Sequence, residues 1–299
     1  MHSTLLIFLD GVGIGQKNPE NNPFFQRKVK FLSENFGEIP HLENQFISKD
    51  NKYLFPTDAN LEIEGLPQSG TGQTSIFCGV NAAKIVGKHF GPYPFSTLKP
   101  IIEKENIFNY FIQKNMNVCF ANAFPKIFFD YINSGRNRLN VTSLMALYSN
   151  LKLQTVDDLL NETAVSSDIT NRRWNERLKY DIPEITPEMA AERLLNITSQ
   201  NQFTLFEYFF TDHLGHGRNL DEFDILFNDL DRFLFTIISK IPDNTTLLIC
   251  SDHGNIENIS VKGHTNNPTL TISAGFGALE LKNRIKDLSD IKSSIIDLY

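Results

Sequence analysis

Three apolar runs in this chain close in the same way: LLIFLD, LFEYFFTD and LLICSD end at Asp10, Asp212 and Asp252. Short apolar runs bounded by turn residues read as strands buried on both faces, the pattern of a largely parallel sheet. Val118 to Ala121 and Leu270 to Ser273 have the same character. Helical periodicity lies between them. In DEFDILFNDLDRFLFTIISK, Phe223, Leu226, Leu230, Phe233, Leu234 and Ile237 recur three or four apart, on one helix face. Thr186 followed by Pro187 announces another helix, through Ala190, Leu194 and Leu195. Strand alternating with helix predicts an α/β fold, a largely parallel central sheet flanked by helices.

At 299 residues the chain has room for one such domain, 1–299, with a sizeable core. The stretch at about 126–183 breaks the rhythm. It is polar and rich in asparagine, and it carries Arg136, Arg138, Arg172, Arg173 and Arg177 around the single tryptophan, Trp174. We read it as a small inserted cap. The region from Gly37 to Gly70 reads as a long loop, of a length that is often functional or locally structured.

In open α/β sheets ligands bind at the carboxyl ends of the strands, where the three aspartates are expected. A buried carboxylate there is costly unless something positive meets it. Histidines stand close by in sequence: His216 in TDHLGHG, His253 in SDHGN and His264 in GHTNNP. Mixed carboxylate and imidazole donors suit zinc or manganese better than calcium, and their number calls for two divalent metal ions. His213 neighbours Asp212, but the spacing favours His216 as the ligand.

Two glycine-rich stretches remain. LLIFLDGVGIG has its acid before the glycines, whereas a dinucleotide fingerprint needs a third glycine after a three-residue step, and its acid roughly 20 residues later. It reads as strand, acid and turn. GLPQSGTGQTSIFCGVNAAK sets Thr71 between Gly70 and Gly72, at the start of a helical run. Helix N-termini attract phosphate, flanking glycines allow an anion to approach, and a metal-bound hydroxyl is a usable nucleophile. Ser69, Thr74 and Ser75 are the competing hydroxyls.

Composition narrows the partners. With 28 basic and 35 acidic residues the net charge is −7, which argues against a general nucleic-acid or anionic-membrane surface. No apolar stretch approaches the roughly 18 to 20 residues of a membrane helix. Cys78, Cys119 and Cys250 lack C-x-x-C spacing and sit in apolar segments, so they are expected as buried thiols of a cytoplasmic protein.

Taken together, DGVG, D-H-L-G-H, SDHGNIE and GHT resemble the alkaline phosphatase superfamily of two-metal phosphoryl-transfer enzymes. In style they come nearest the branch of cofactor-independent phosphoglycerate mutase and phosphopentomutase. The resemblance covers residues 1 to about 90 and about 200 to 280. It implies an alkaline-phosphatase-like core, with one metal held by Asp212, His216 and His264. The second would be held by Asp10, Asp252 and His253, with Thr71 as nucleophile and ligand. Glu257 and Asn266 would support these ligands.

The implied activity is that of a metal-dependent phosphohydrolase, a phosphomonoesterase or phosphodiesterase, acting on a small phosphorylated substrate through a phosphothreonine. A phosphomutase or a non-catalytic metal-binding protein are the alternatives. The transferase domain of phosphoglycerate mutase has no room here, and T-G-Q-T-S lacks the C/S-x-P-x-R context of sulfatases. The phosphate clamp has no evident counterpart; its candidates are the cap arginines, Lys84, Lys88 and His89.

Overall fold

The computed structural model describes residues 2–136 and 138–299. A sheet of seven strands organises it: β1 (Ser3–Leu9), β2 (Ile47–Lys49), β3 (Lys52–Thr57), β4 (Val118–Phe120), β5 (Phe203–Tyr208), β6 (Thr245–Cys250) and β7 (Thr269–Gly275), in the order β2-β3-β7-β6-β1-β5-β4. The neighbours β6, β1, β5 and β4 are parallel. β7 runs antiparallel to β6, β3 to β7, and β2 to β3. The sheet is therefore mixed and mostly parallel, with only β7 and β2 running against the rest.

Side chains alternate across β1 as the pleat requires. Leu5, Ile7 and Leu9 face a core completed by the helices Pro187–Ser199 and Phe223–Lys240, through residues such as Leu194, Leu226 and Phe233. Leu6 and Phe8 face the opposite core, with Ile76 and Phe77 of the helix Ser69–Cys78 and Ile291 near the C-terminus. Covered on both faces, β1, β5 and β6 are buried at every position, which is why they read as nearly continuous apolar runs.

Two expectations change. The LFEYFFTD strand stops at Tyr208, and Asp212 lies inside a short helix, Phe210–Gly215. Phe209 turns the chain into helical dihedrals after Tyr208 has accepted its last strand bond, from the Asp10 N–H at 3.0 Å. In the Gly37 to Gly70 region, β2 and β3 form a hairpin whose turn, Asp50-Asn51, has positive φ at both residues (49° and 56°). That is the two-residue turn that suits strand twist.

The 126–183 stretch is mostly short helices. Its helix Val141–Tyr148 buries Val141, Leu144 and Met145 in the core under the sheet. Trp174 packs with Leu159, Ala164 and Ile182 in a separate small cluster. Arg173 and Arg177 both donate to Glu222, so these cap arginines tie the segment to the loop before Phe223–Lys240. No helix among the described residues is long and apolar enough to cross a membrane.

The expected cap at Thr186 forms, its hydroxyl accepting from Met189 N–H at 3.2 Å. Thr186→Ala should cost about 1 kcal/mol, seen as a lowered thermal midpoint; an unchanged midpoint would show that Pro187 and packing alone fix this helix start.

Candidate metal centre

β1 lies between β5 and β6, in a register that sets Ile7 opposite both Phe206 and Ile249. The three strands therefore deliver their following residues to one edge, with Asp10 in the middle. Asp252 and His253 are fully buried there.

Six of the expected ligands converge. His216 Nε2 is 3.3 Å from Asp212 Oδ1 and 3.3 Å from His264 Nε2, and His264 Nε2 is 3.6 Å from Asp212 Oδ1. Beside them, His253 Nε2 lies 3.2 Å from Asp10 Oδ1 and 3.6 Å from Asp252 Oδ2. His253 also joins Asp212 and His264 in a group whose ligand atoms all fall within 4.8 Å, its ring stacked on His264 with centroids 3.6 Å apart. The two groups thus share a wall, and His253 is that wall.

The surroundings prepare these atoms for cations. His264 Nδ1 is 2.6 Å from the Pro67 carbonyl, which only accepts, so Nδ1 carries the proton and Nε2 is left with its lone pair. His216 Nδ1 faces the Lys262 carbonyl at 3.4 Å. Nε2 atoms of two such rings cannot satisfy each other across 3.3 Å; a cation between them and Asp212 can. Asp10 Oδ1 is buried and finds no hydrogen bond among the described residues. Such an orphan carboxylate oxygen asks for a positive partner. The donor set therefore fits divalent metal ions.

Charge within the cluster is unbalanced accordingly. Burial, and then the carboxylates of Asp252, Asp212 and Glu207, push the Asp10 carboxyl well above its ordinary range. Burial also opposes charge on Asp212, yet its contacts with the His216 and His264 rings, with His253 and Asn255 close by, hold it well below that range. Glu207, on β5, is a member the sequence reading missed. Burial lifts its carboxyl to about 7 while Thr142 Oγ1 (2.7 Å) and Asn140 Nδ2 (3.1 Å) donate to it. Its signal was a charged residue inside a strand buried at every position.

Glu257 holds the loop that carries His253 and His264. Its carboxylate accepts from the backbone N–H of Gly13 (2.9 Å) and Asn255 (2.7 Å), from Thr265 Oγ1 and from Asn267 Nδ2 (3.0 Å). Asn267 fills the role expected of Asn266, which is exposed. Asn255 in turn donates to Asp212 Oδ1 at 2.6 Å. Gly13 is needed here, since a Cβ would come within 2.6 Å of the Glu257 carboxyl. The opening glycines thus serve this turn. His213 stays outside the centre, packed on Phe209 and Phe210.

The expectation for Thr71 is corrected. Its side chain is buried, with Oγ1 donating to the Gln68 carbonyl (3.1 Å) and accepting from Phe90 N–H (3.2 Å). Ser69 is the hydroxyl at the centre, with Oγ 3.0 Å from His253 Nε2. Helical residues advance about 100° each, so a side chain two positions on points to the far side. The flanking glycines admit the chain itself rather than an anion: a Cβ on Gly70 would meet the Tyr93 carbonyl at 2.3 Å, and one on Gly72 the Asp252 carbonyl at 2.8 Å. Of the proposed clamps, Lys88 lies over the Phe90 ring and His89 bonds the Ile63 carbonyl.

Comparisons with known proteins agree with this architecture. Residues 155–299 match the family model of the metalloenzyme superfamily. The PH0037 protein of Pyrococcus horikoshii is 15% identical, with 99% of this chain and 96% of that one covered at a TM-score of 0.56. A cold-active alkaline phosphatase from a psychrophilic Shewanella species is 12% identical, with 98% and 99% covered at a TM-score of 0.50. These two likenesses show a shared fold. A search of the curated proteins found no match.

Two predictions follow from the geometry. Glu257→Gln, which turns one acceptor oxygen into a donor, should weaken metal binding by about 10- to 100-fold, measured by titration of the metal-stripped protein. Without metal, Glu207 holds its proton more tightly folded than unfolded. Its stabilisation is complete below the ordinary carboxylate range and is lost as pH rises through about 7. The thermal midpoint of metal-stripped protein should therefore fall from pH 5 to pH 8, and Glu207→Gln should remove part of that slope, up to about 3 kcal/mol.

Over residues 155–299 the chain is similar in sequence to the metalloenzyme superfamily, and over its whole length it shares the fold of the PH0037 protein and of a cold-active alkaline phosphatase.

Proposed function

We propose that the protein is a metal-dependent phosphoric ester hydrolase acting on a small phosphorylated substrate, with Ser69 as its nucleophile. The observation that carries this reading is the Ser69 hydroxyl, 3.0 Å from His253 Nε2, beside both ligand groups. A site that only held metals for structure would have no use for a hydroxyl there.

Asp212, His216 and His264 would hold one divalent ion, and Asp10, Asp252 and His253 the other; these nitrogen and oxygen donors suit zinc or manganese. When bound, such ions supply Lewis-acid stabilisation of phosphoryl oxygens and ease deprotonation of a hydroxyl. Ser69 gives up its proton, which leaves on the alcohol oxygen, and its Oγ bonds to phosphorus as the bond from phosphorus to that oxygen breaks. A water oxygen then bonds to phosphorus, the bond to Oγ breaks, and phosphate leaves with the serine restored. The start of the helix Ser69–Cys78 keeps Oγ in place, because Pro67, two residues before Ser69, is tied through its carbonyl to His264. The buried free thiols Cys78, Cys119 and Cys250 support a reducing, cytoplasmic setting.

Ser69→Ala should abolish phosphate release from aryl phosphates by at least about 10³-fold while keeping metal content. Thr71→Val should keep most turnover, with some stability lost. Assaying phosphate release with zinc or manganese checks both; turnover retained in Ser69→Ala and lost in Thr71→Val would return the nucleophile to Thr71. Phosphoryl groups that reappear on the substrate instead of as free phosphate would make the protein a mutase.

A further inference from the structure

A cavity of about 790 Å³ opens beside the centre. Its size lies in the range of about 300–1,000 Å³ typical of small-molecule sites. Glu207 and Phe209 line it at one end, and both belong to the stretch that leads from β5 to Asp212. Tyr93 lines it at another, and the Tyr93 carbonyl rests against Gly70, the residue after Ser69. The cavity thus lies between the strand end that carries a ligand and the helix start that carries the hydroxyl.

Its walls are mainly aromatic and aliphatic. Phe124 and Phe128 face each other with centroids 4.3 Å apart. The helix Lys126–Asn133 has no fully buried residue; Phe128, Phe129, Tyr131 and Ile132 lean on the core under the sheet, and Ile127, Phe128 and Tyr131 line this cavity. An amphipathic helix turns its apolar stripe toward whatever it is meant to cover. At the rim, the Arg138 guanidinium lies 4.8 Å above the Tyr93 ring, and Arg136 lies 5.5 Å above Tyr131. Flat cationic and aromatic surfaces of this kind accept flat ring systems.

Resting on the phosphoesterase reading above, we infer that this cavity receives the leaving group of the substrate, and that the substrate is a phosphate ester of an aromatic, ring-bearing alcohol. Ile127 and Phe128 select that ring, and Arg138 extends the stack at the rim. Small polyol and sugar phosphates would leave such walls uncovered.

The test uses metal-loaded full-length protein with 2-naphthol as the leaving-group probe and with 2-naphthyl phosphate and methyl phosphate as substrates. The variants are Ile127→Asp, at a side chain exposed enough (67%) to spare the fold, and Phe128→Ala. Binding of 2-naphthol, followed by its fluorescence, should weaken at least about tenfold in each variant. KM for 2-naphthyl phosphate should rise by a similar factor while kcat/KM for methyl phosphate stays unchanged. The comparison is between variants on each ester, so the different leaving-group acidities of the two alcohols cancel. Naphthol binding that is absent, or indifferent to both variants, overturns the inference, and turnover of both esters would then leave the phosphoesterase standing. Variant-sensitive naphthol binding with no ester turned over supports the ring site and removes the hydrolase reading instead.

Discussion

Everything at the functional edge depends on bringing Asp10, Asp212 and Asp252 together where water is scarce. Like charges a few ångströms apart in a low-dielectric setting repel by several kcal/mol, and each also loses hydration. The fold concentrates them nonetheless, because β5, β1 and β6 are adjacent, parallel and rigidly packed on both faces. Backbone geometry thus forces an electrostatic problem, and the histidines show how it is answered. Their Nε2 atoms face the carboxylates, while the Nδ1 atoms of His264 and His216 face backbone carbonyls.

The supporting shell has a different character. Glu257 is as buried as the ligands, but its oxygens accept four donors from three parts of the chain, so its charge is compensated. Asp10 Oδ1, Gln73 Oε1 and Asn255 Oδ1 are buried without such partners among the described residues. All three belong to side chains at the centre or in contact with its ligands, through Asp252 for Gln73 and Asp212 for Asn255. Among the described residues, buried polar atoms without partners occur elsewhere too, as at Asp168 and Thr204, but those at the centre lie beside carboxylate and imidazole groups that a cation would join.

Much of this was legible because burial on both faces writes itself into sequence. The β1, β5 and β6 runs and their closing aspartates needed no structural knowledge, nor did the helix opened by Thr186. β3 escaped notice because KYLFPT is only half buried and antiparallel, so that Lys52 and Pro56 interrupt any apolar signal. The hydroxyl that faces the centre was misread for a reason of helical phase. Glycines on both sides drew attention to Thr71, whereas direction around the helix, fixed by where Ser69–Cys78 begins, selects Ser69. The competing hydroxyl was visible, but the start of the helix to within one residue was not.

The arginines of the 126–183 stretch divide along the same line between compensated and open. Arg173 and Arg177 converge on Glu222, whose side chain is almost wholly buried, and Arg172 lies 3.6 Å from it as well. Three cations around one carboxylate fasten this stretch to the helix that packs on β5, and that leaves them little to offer an anion. Arg136 and Arg138 instead lie over tyrosine rings at the rim of the cavity. Cations fixed by a buried acid organise the fold, and those that line the cavity rim face a ligand, so the position of each arginine, more than their number, decides how this segment serves the centre.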